Sequence, residues 1–146
     1  MRSKLLDESH GRRTFALVFD TGDEAMAGLS RFAREQRLTA AQFTAIGAFS
    51  RATAAYFDWD AKQYHKIPVD EQVEVLALTG DVSEERDGIP KVHAHVVLGR
   101  RDGTTRGGHL MEGHVRPTLE VVLTESPAHL RRRHDPATGL SLIRLA

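Results

Sequence analysis

Between Lys91 and Gly99 the chain alternates with a period of two: Val92, Ala94, Val96 and Leu98 are apolar, with Lys91, His93 and His95 set between them. That period belongs to a strand with one face on a core, since the same residues would scatter around a helix. It puts His93 and His95 together on the opposite face, about 6.5–7 Å apart along the strand. Over that separation two imidazoles can converge on one metal ion, at about 2.0–2.1 Å from each nitrogen if the ion is zinc. Arg101-Asp-Gly-Thr104 has the composition of a hairpin turn, and Arg106-Gly-Gly-His-Leu-Met-Glu-Gly113 follows it. A strand returning antiparallel brings His109 beside the first pair.

The other segments read mostly as strands. Thr14–Phe19 is rich in β-formers and is stopped by Asp20-Thr-Gly-Asp. Thr21-Gly-Asp-Glu24 has the form of a capping box, with Thr21 as N-cap and Glu24 reaching back. Met26, Leu29, Phe32 and Ala33 then make one apolar stripe at helical spacing, which predicts a helix to about Arg37. Phe43–Ser50 and Ala52–Trp59 read as two strands separated by a tight bend, with Gly47 marking a bulge or a close backbone approach. Tyr64–Ile67 and Val73–Thr79 are further strands, and polar Ser83–Pro90 is read as a loop. In Val115–Thr124, Leu119, Val121 and Leu123 form the apolar face. Pro117 belongs at that strand's beginning or on an edge, because it has no N–H for a ladder. Leu140–Leu145 is a terminal strand.

One helix among many strands, with connections too short for regular βαβ crossovers, predicts an α+β fold: a mainly antiparallel sheet with one main helix packed on it. At 146 residues the expectation is a single domain spanning 1–146. The 20 Lys+Arg balance the 20 Asp+Glu, so no global field favours a polyanion. The absence of cysteine rules out disulfides and thiolate zinc sites; any metal is held by His, Asp, Glu or water. Charges appear too early in Met1–His10 for a signal peptide, and no apolar run reaches the ~18–20 residues of a membrane span. A cytoplasmic location is expected.

Taken together, Val73-Glu-Val-Leu-Ala-Leu-Thr-Gly80, His93-Ala-His95, Gly107-Gly-His-Leu110 with Gly113, and Pro117-Thr-Leu-Glu-Val121 resemble the plants and prokaryotes conserved (PPC) domain family. The likeness in order and spacing runs from Phe15 to the Asp135-Pro-Ala-Thr-Gly139 tail. It implies a compact α+β fold that assembles as a homotrimer. Some prokaryotic single-domain members look like metal-binding proteins. By motif position the ligands here would be His93, His95 and His109. Members are commonly described as DNA-binding. The plant relatives contact DNA through a separate AT-hook with an Arg-Gly-Arg-Pro core, and this chain has no such sequence.

The three histidines suit zinc or another divalent ion, with an open fourth position for water or a small anionic ligand. The alternative is a polar sheet face or subunit interface in which they bond to carbonyls and water. His114 and His65 are reserve ligands. Glu112 and Glu120 are the candidate carboxylates to orient a ligand histidine, and beside a metal-bound water either would be the base of a metal-dependent hydrolase. Arg131, Arg132 and Arg133 are the candidate nucleic-acid contacts. Without aromatic residues among them they do not make a stacking surface for single strands. A regulatory or binding role at a metal site is the leading expectation, and metal-dependent hydrolysis is the alternative.

Overall fold

The computed structural model describes residues 1–85 and 87–145. Its elements run β1 (Arg2–Ser9), β2 (Arg12–Asp20), α1 (Ala25–Glu35), β3 (Ala40–Asp58), β4 (Gln63–Val69), β5 (Val73–Glu84), β6 (Pro90–Gly99), β7 (Thr105–Glu125), β8 (Arg131–Asp135) and β9 (Leu140–Arg144). The fold is mostly sheet, with a single short helix among the described residues. The main path is β1-β2-β7-β3-β5-β8-β9, with β4 on β3 and β6 on both β5 and β7. Because β3 pairs with β5 and β7 while β6 bridges β5 and β7, four strands close into a ring of antiparallel ladders. All four strands contribute to one buried core, among them Phe43 and Phe49 of β3, Leu78 of β5, Val96 of β6, and Leu110, Leu119 and Leu123 of β7.

β3 and β7 make this closure possible, and both differ from the sequence reading. The expected pair of strands over 43–59 is one continuous strand, as are the two expected segments of β7. Bulges bend them instead of turns: the β3–β7 register shifts at Gly47/Phe49, Phe49/Arg51 and Thr53/Ala54. Gly47 is at a bulge as expected. Its φ is +154°, and a Cβ there would lie 2.3 Å from the Thr118 carbonyl oxygen. Pro117 lies inside β7 and not at its start. It is tolerated because β3 pairing skips from Val115 to Leu119 and β2 pairing begins only at Thr118, so neither ladder requires its N–H.

Helix α1 buries Leu29, Phe32 and Ala33 against β6 and β7, and Phe32 meets Phe15 edge-to-face at 5.1 Å. Its N-cap is Glu24, not Thr21. A turn closes over Asp20–Asp23, and the Thr21 hydroxyl donates to the Pro117 carbonyl. The Glu24 carboxylate accepts from the Met26 and Ala27 amides at 3.1 and 2.6 Å, and from the Gly113 amide of β7 at 2.9 Å. One side chain therefore caps the helix and ties it to the sheet. At the other end Arg37 has φ +53° and the Leu38 amide returns to the Ala33 carbonyl, a Schellman-type stop.

Strand β1, exposed almost throughout, gave no alternation to read. The Ser83–Pro90 loop is shorter than expected, with β5 running to Glu84 and β6 starting at Pro90; Arg86 lies outside the described residues.

Candidate metal centre

On β6 the even residues Val92, Ala94, Val96 and Leu98 are buried, which turns His93 and His95 to the outer face. The turn after β6 is closed by the Arg100 amide to the Thr104 carbonyl and the Gly103 amide to the Arg100 carbonyl, each at 2.9 Å. The resulting register sets His109 of β7 directly opposite His95. The ring centroids are 5.0 Å apart for His93–His95 and His93–His109, and 5.6 Å for His95–His109. One nitrogen from each ring falls within 4.8 Å of the other two. For tetrahedral ligands about 2.0–2.1 Å from zinc, mutual separations near 3.3–3.5 Å are needed, so small rotamer shifts would close the site.

His109 is held by close backbone packing. The two glycines before it lie against neighbouring strands: a Cβ on Gly107 would meet the Val96 carbonyl oxygen at 2.6 Å, and one on Gly108 the Ala55 carbonyl oxygen at 2.4 Å. The close approach anticipated from this pair is made by the protein's own β3 and β6. Tyr64 of β4 covers the ring of His109 at 4.9 Å. The Nδ1 of His109 is buried without a hydrogen-bond partner among the described residues. A metal ion is the partner that would satisfy such a nitrogen, so the residues present fit a metal.

Burial first, and then the neighbouring His93, His95, Arg132 and Lys91, push His109 down to about 4. Burial and His93 also lower His95. Both rings are therefore neutral, the form that ligates metal, at neutral pH. The sign for stability follows from linkage. An unfolded-state histidine takes up a proton near 6.5, whereas folded His109 resists until about 4. The stability of the metal-free protein is expected to be full above pH 6.5 and to fall as acid is added through that window. Urea titrations at pH 7, 6 and 5 on parent and His109→Leu check this, since the variant should lose part of the slope.

Asp81, which the sequence reading passed over, and Arg132, read there as a nucleic-acid contact, complete the surroundings. Asp81 of β5 stands opposite His93, and its Oδ2 lies 3.5 Å from His93 Nδ1. Arg132 of β8 donates through Nη2 to both oxygens of Asp81 (3.0 and 2.9 Å), through Nε to the buried Ser83 hydroxyl (2.8 Å), and through Nη1 to the Ser141 carbonyl (2.9 Å). Burial raises the Asp81 carboxyl, but the neighbouring His93 and Arg132 outweigh it and the net shift is downward. The signal for Asp81 was its place two residues past Thr79 on a strand that runs on.

The other candidates sit elsewhere. Glu112, exposed, accepts from the Thr53 hydroxyl at 3.2 Å, and Glu120 is exposed in the part of β7 that pairs with β2. Among the described residues neither joins the histidine cluster. His114 sits beside Arg51, and His65 beside Asp58. Arg131 pairs with Glu84 at 3.3 Å and Arg133 is exposed, while Arg132 turns inward to Asp81.

The family profile of the Plants and Prokaryotes Conserved (PCC) domain, also abbreviated PPC, matches residues 6–127. The chain belongs to this family. Among solved structures, a PPC protein of Pyrococcus horikoshii is 32% identical, with TM-score 0.85 and 92% of each chain covered. A metal-containing protein of Archaeoglobus fulgidus is 36% identical, with TM-score 0.83, over 90% of this chain and 93% of that one. A Ralstonia eutropha JMP134 protein described as a candidate DNA-binding protein is 28% identical, with TM-score 0.83, over 90% and 91%. The bifunctional protein GlmU of Synechococcus sp. (strain JA-3-3Ab) is 36% identical over 130 residues, or 87% of this chain. The chain spans only 20% of that curated relative's length.

Proposed function

We propose that this PPC-domain chain, one domain over residues 1–146, is a metal-binding protein with a regulatory or ligand-binding role, and that His93, His95 and His109 hold a zinc ion or a similar divalent metal. The observation that carries it is the convergence of three imidazoles, one of which, His109, also buries an Nδ1 with no hydrogen-bond partner among the described residues. The Archaeoglobus fulgidus relative, described as metal-containing, supports the same reading. When bound, the ion would supply a Lewis-acid position open to water or a small anion. The chain's own part is to keep His95 and His109 neutral, to shield His109 with Tyr64, and to offer Asp81 as acceptor for the Nδ1 of His93. Metal-dependent hydrolysis is the weaker alternative, because neither Glu112 nor Glu120 joins the cluster.

The test is elemental mass spectrometry of the untagged protein beside a His93→Ala/His95→Ala variant. Near-stoichiometric zinc in the parent that disappears in the variant is the expected result. A metal-free parent that also refuses added zinc would make the histidines structural.

A homotrimer fits the outer sheet face, where Ile46, Leu76 and Val122 are exposed on adjoining strands. Contiguous exposed apolar surface of this kind marks an association site. An Ile46→Asp/Val122→Asp variant is expected to elute as a monomer in size exclusion with light scattering, while the parent runs as a trimer. A monomeric parent would remove the oligomer. DNA association is a second reading, carried by the Ralstonia relative. It has Arg133 and the exposed Arg131 to draw on, but not Arg132, which is pinned to Asp81. A cytoplasmic location suits a cysteine-free chain, and no helix among the described residues is long and apolar enough to cross a membrane.

A further inference from the structure

The C-terminal hairpin β8–β9 begins after the residues that the family profile matches, which end at 127. It is self-contained, with five cross-strand pairs from Arg131↔Arg144 to Asp135↔Leu140. To the main sheet it offers one ladder position, the parallel pairing of Arg131 with Glu84. Leu130, just before it, bonds through its backbone to Glu84 and Thr39 at 2.8 and 3.3 Å, and side chains do the rest: Arg131 to Glu84, Lys62 to the Ala137 carbonyl, and Arg132 to Ser83 and Asp81. The anchor with the most bonds is therefore an arginine inserted beside a candidate metal ligand, its side chain only 10% exposed.

Two features of that insertion act in the same direction. Asp81 Oδ2 is held at 2.9 Å by Arg132 but lies 3.5 Å from His93 Nδ1. The second distance is outside the usual 2.7–3.2 Å range, and Arg132 Nη2 itself stands 3.4 Å from the same nitrogen. Arginine and histidine thus compete for one carboxylate. A carboxylate bonded to the far nitrogen of a ligating histidine fixes its tautomer and strengthens it as a ligand, so the competition weakens the ligand. The guanidinium also sets a fixed positive charge beside groups that would bind a cation, 3.4 Å from His93 Nδ1.

We propose that the β8–β9 hairpin is a brake on the histidine site: when docked, Arg132 draws the Asp81 carboxylate away from His93 and places a positive charge beside the imidazoles, so that metal binding and hairpin docking oppose each other. The proposal rests on the metal reading above. Reciprocity is required: whatever factor docking takes from metal affinity, metal takes from docking.

The test pairs two variants with one measurement on the parent. Zinc affinity by competition with a chromophoric chelator is expected to rise about 5- to 10-fold in Arg132→Met, within the usual span of coupling between sites. It is expected to fall about 10- to 100-fold in Asp81→Asn, as for other groups that orient a ligand histidine. Circular dichroism and thermal melting show that each variant is folded. In the unaltered protein, added zinc is expected to speed hydrogen exchange at the amides of 131–135 and 140–144 while slowing it in β6. This arm needs no substitution and serves if Arg132→Met fails to fold. A parent that binds zinc, with Arg132→Met binding no tighter or with hairpin amides slowed by zinc, overturns the brake and leaves the metal site standing. A parent that takes up no divalent ion overturns both.

Discussion

Alanine in place of Gly108 is expected to destabilise the protein by about 3–5 kcal/mol and to disorganise the histidine cluster with it. Two costs add. Gly108 has φ +149°, where a side chain costs about 1–3 kcal/mol. The added methyl would also stand 2.4 Å from the Ala55 carbonyl oxygen and 3.2 Å from its carbon. Those atoms belong to a central ladder that cannot rotate aside as a side chain would, and such overpacking costs a further 1–3 kcal/mol or so. For a chain of this length each kcal/mol lowers the melting temperature by roughly 2–4 °C, so a drop of about 10 °C is expected in a thermal melt. Gly103→Ala is the control. Its φ is +81° but nothing lies within 4 Å of the new methyl, and a loss of about 1 kcal/mol is expected. Equal losses for the two variants would show that the approach of β7 to β3 does not constrain the strand that carries His109.

His109→Leu separates the two roles a buried histidine can have. In the metal-free protein the native ring buries a nitrogen without a partner, at a cost of about 1–3 kcal/mol that an apolar side chain of similar size does not incur. The metal-free variant is therefore expected to be as stable as the parent or more so by urea denaturation. With zinc the order reverses. Structural zinc sites in small domains bind with apparent free energies of about 10–16 kcal/mol shared over four ligands, so one lost ligand removes about 3 kcal/mol, or roughly 100- to 1,000-fold in affinity. The zinc-induced rise in melting temperature should nearly vanish at metal concentrations that saturate the parent. A variant destabilised equally with and without zinc would mean that His109 is a packing residue and that the ion does not depend on it.

Much of the site was legible before the fold was known. The alternation of Val92, Ala94, Val96 and Leu98 leaves one solution for the side on which His93 and His95 emerge, because a strand has only two faces. The short turn at 101–104 then leaves little freedom in where His109 returns. The stripe of α1 was equally plain. What failed in reading were features set by distant partners. Thr21 has the chemistry of an N-cap, yet Pro117 takes its hydroxyl and Glu24, bonded to Gly113, caps the helix. The bends of β3 at Arg51 and of β7 near Gly113 looked like strand ends because a local break in the pattern reads the same whether it is a turn or a bulge within a long strand.

Neighbouring residues therefore settled the local alternatives: the period of most strands, which face of each is apolar, and the side of β6 on which His93 and His95 emerge. Period-two and helical patterning are properties of consecutive residues, and they survive any arrangement of the rest. The tertiary structure alone decided what surrounds those imidazoles. Asp81, Arg132 and Tyr64 come to the histidines from three separate strands, through ladder registers and a terminal hairpin. The burial of His109 and the fixed charge beside it are sums over those neighbours, and such sums exist only once the chain has closed on itself.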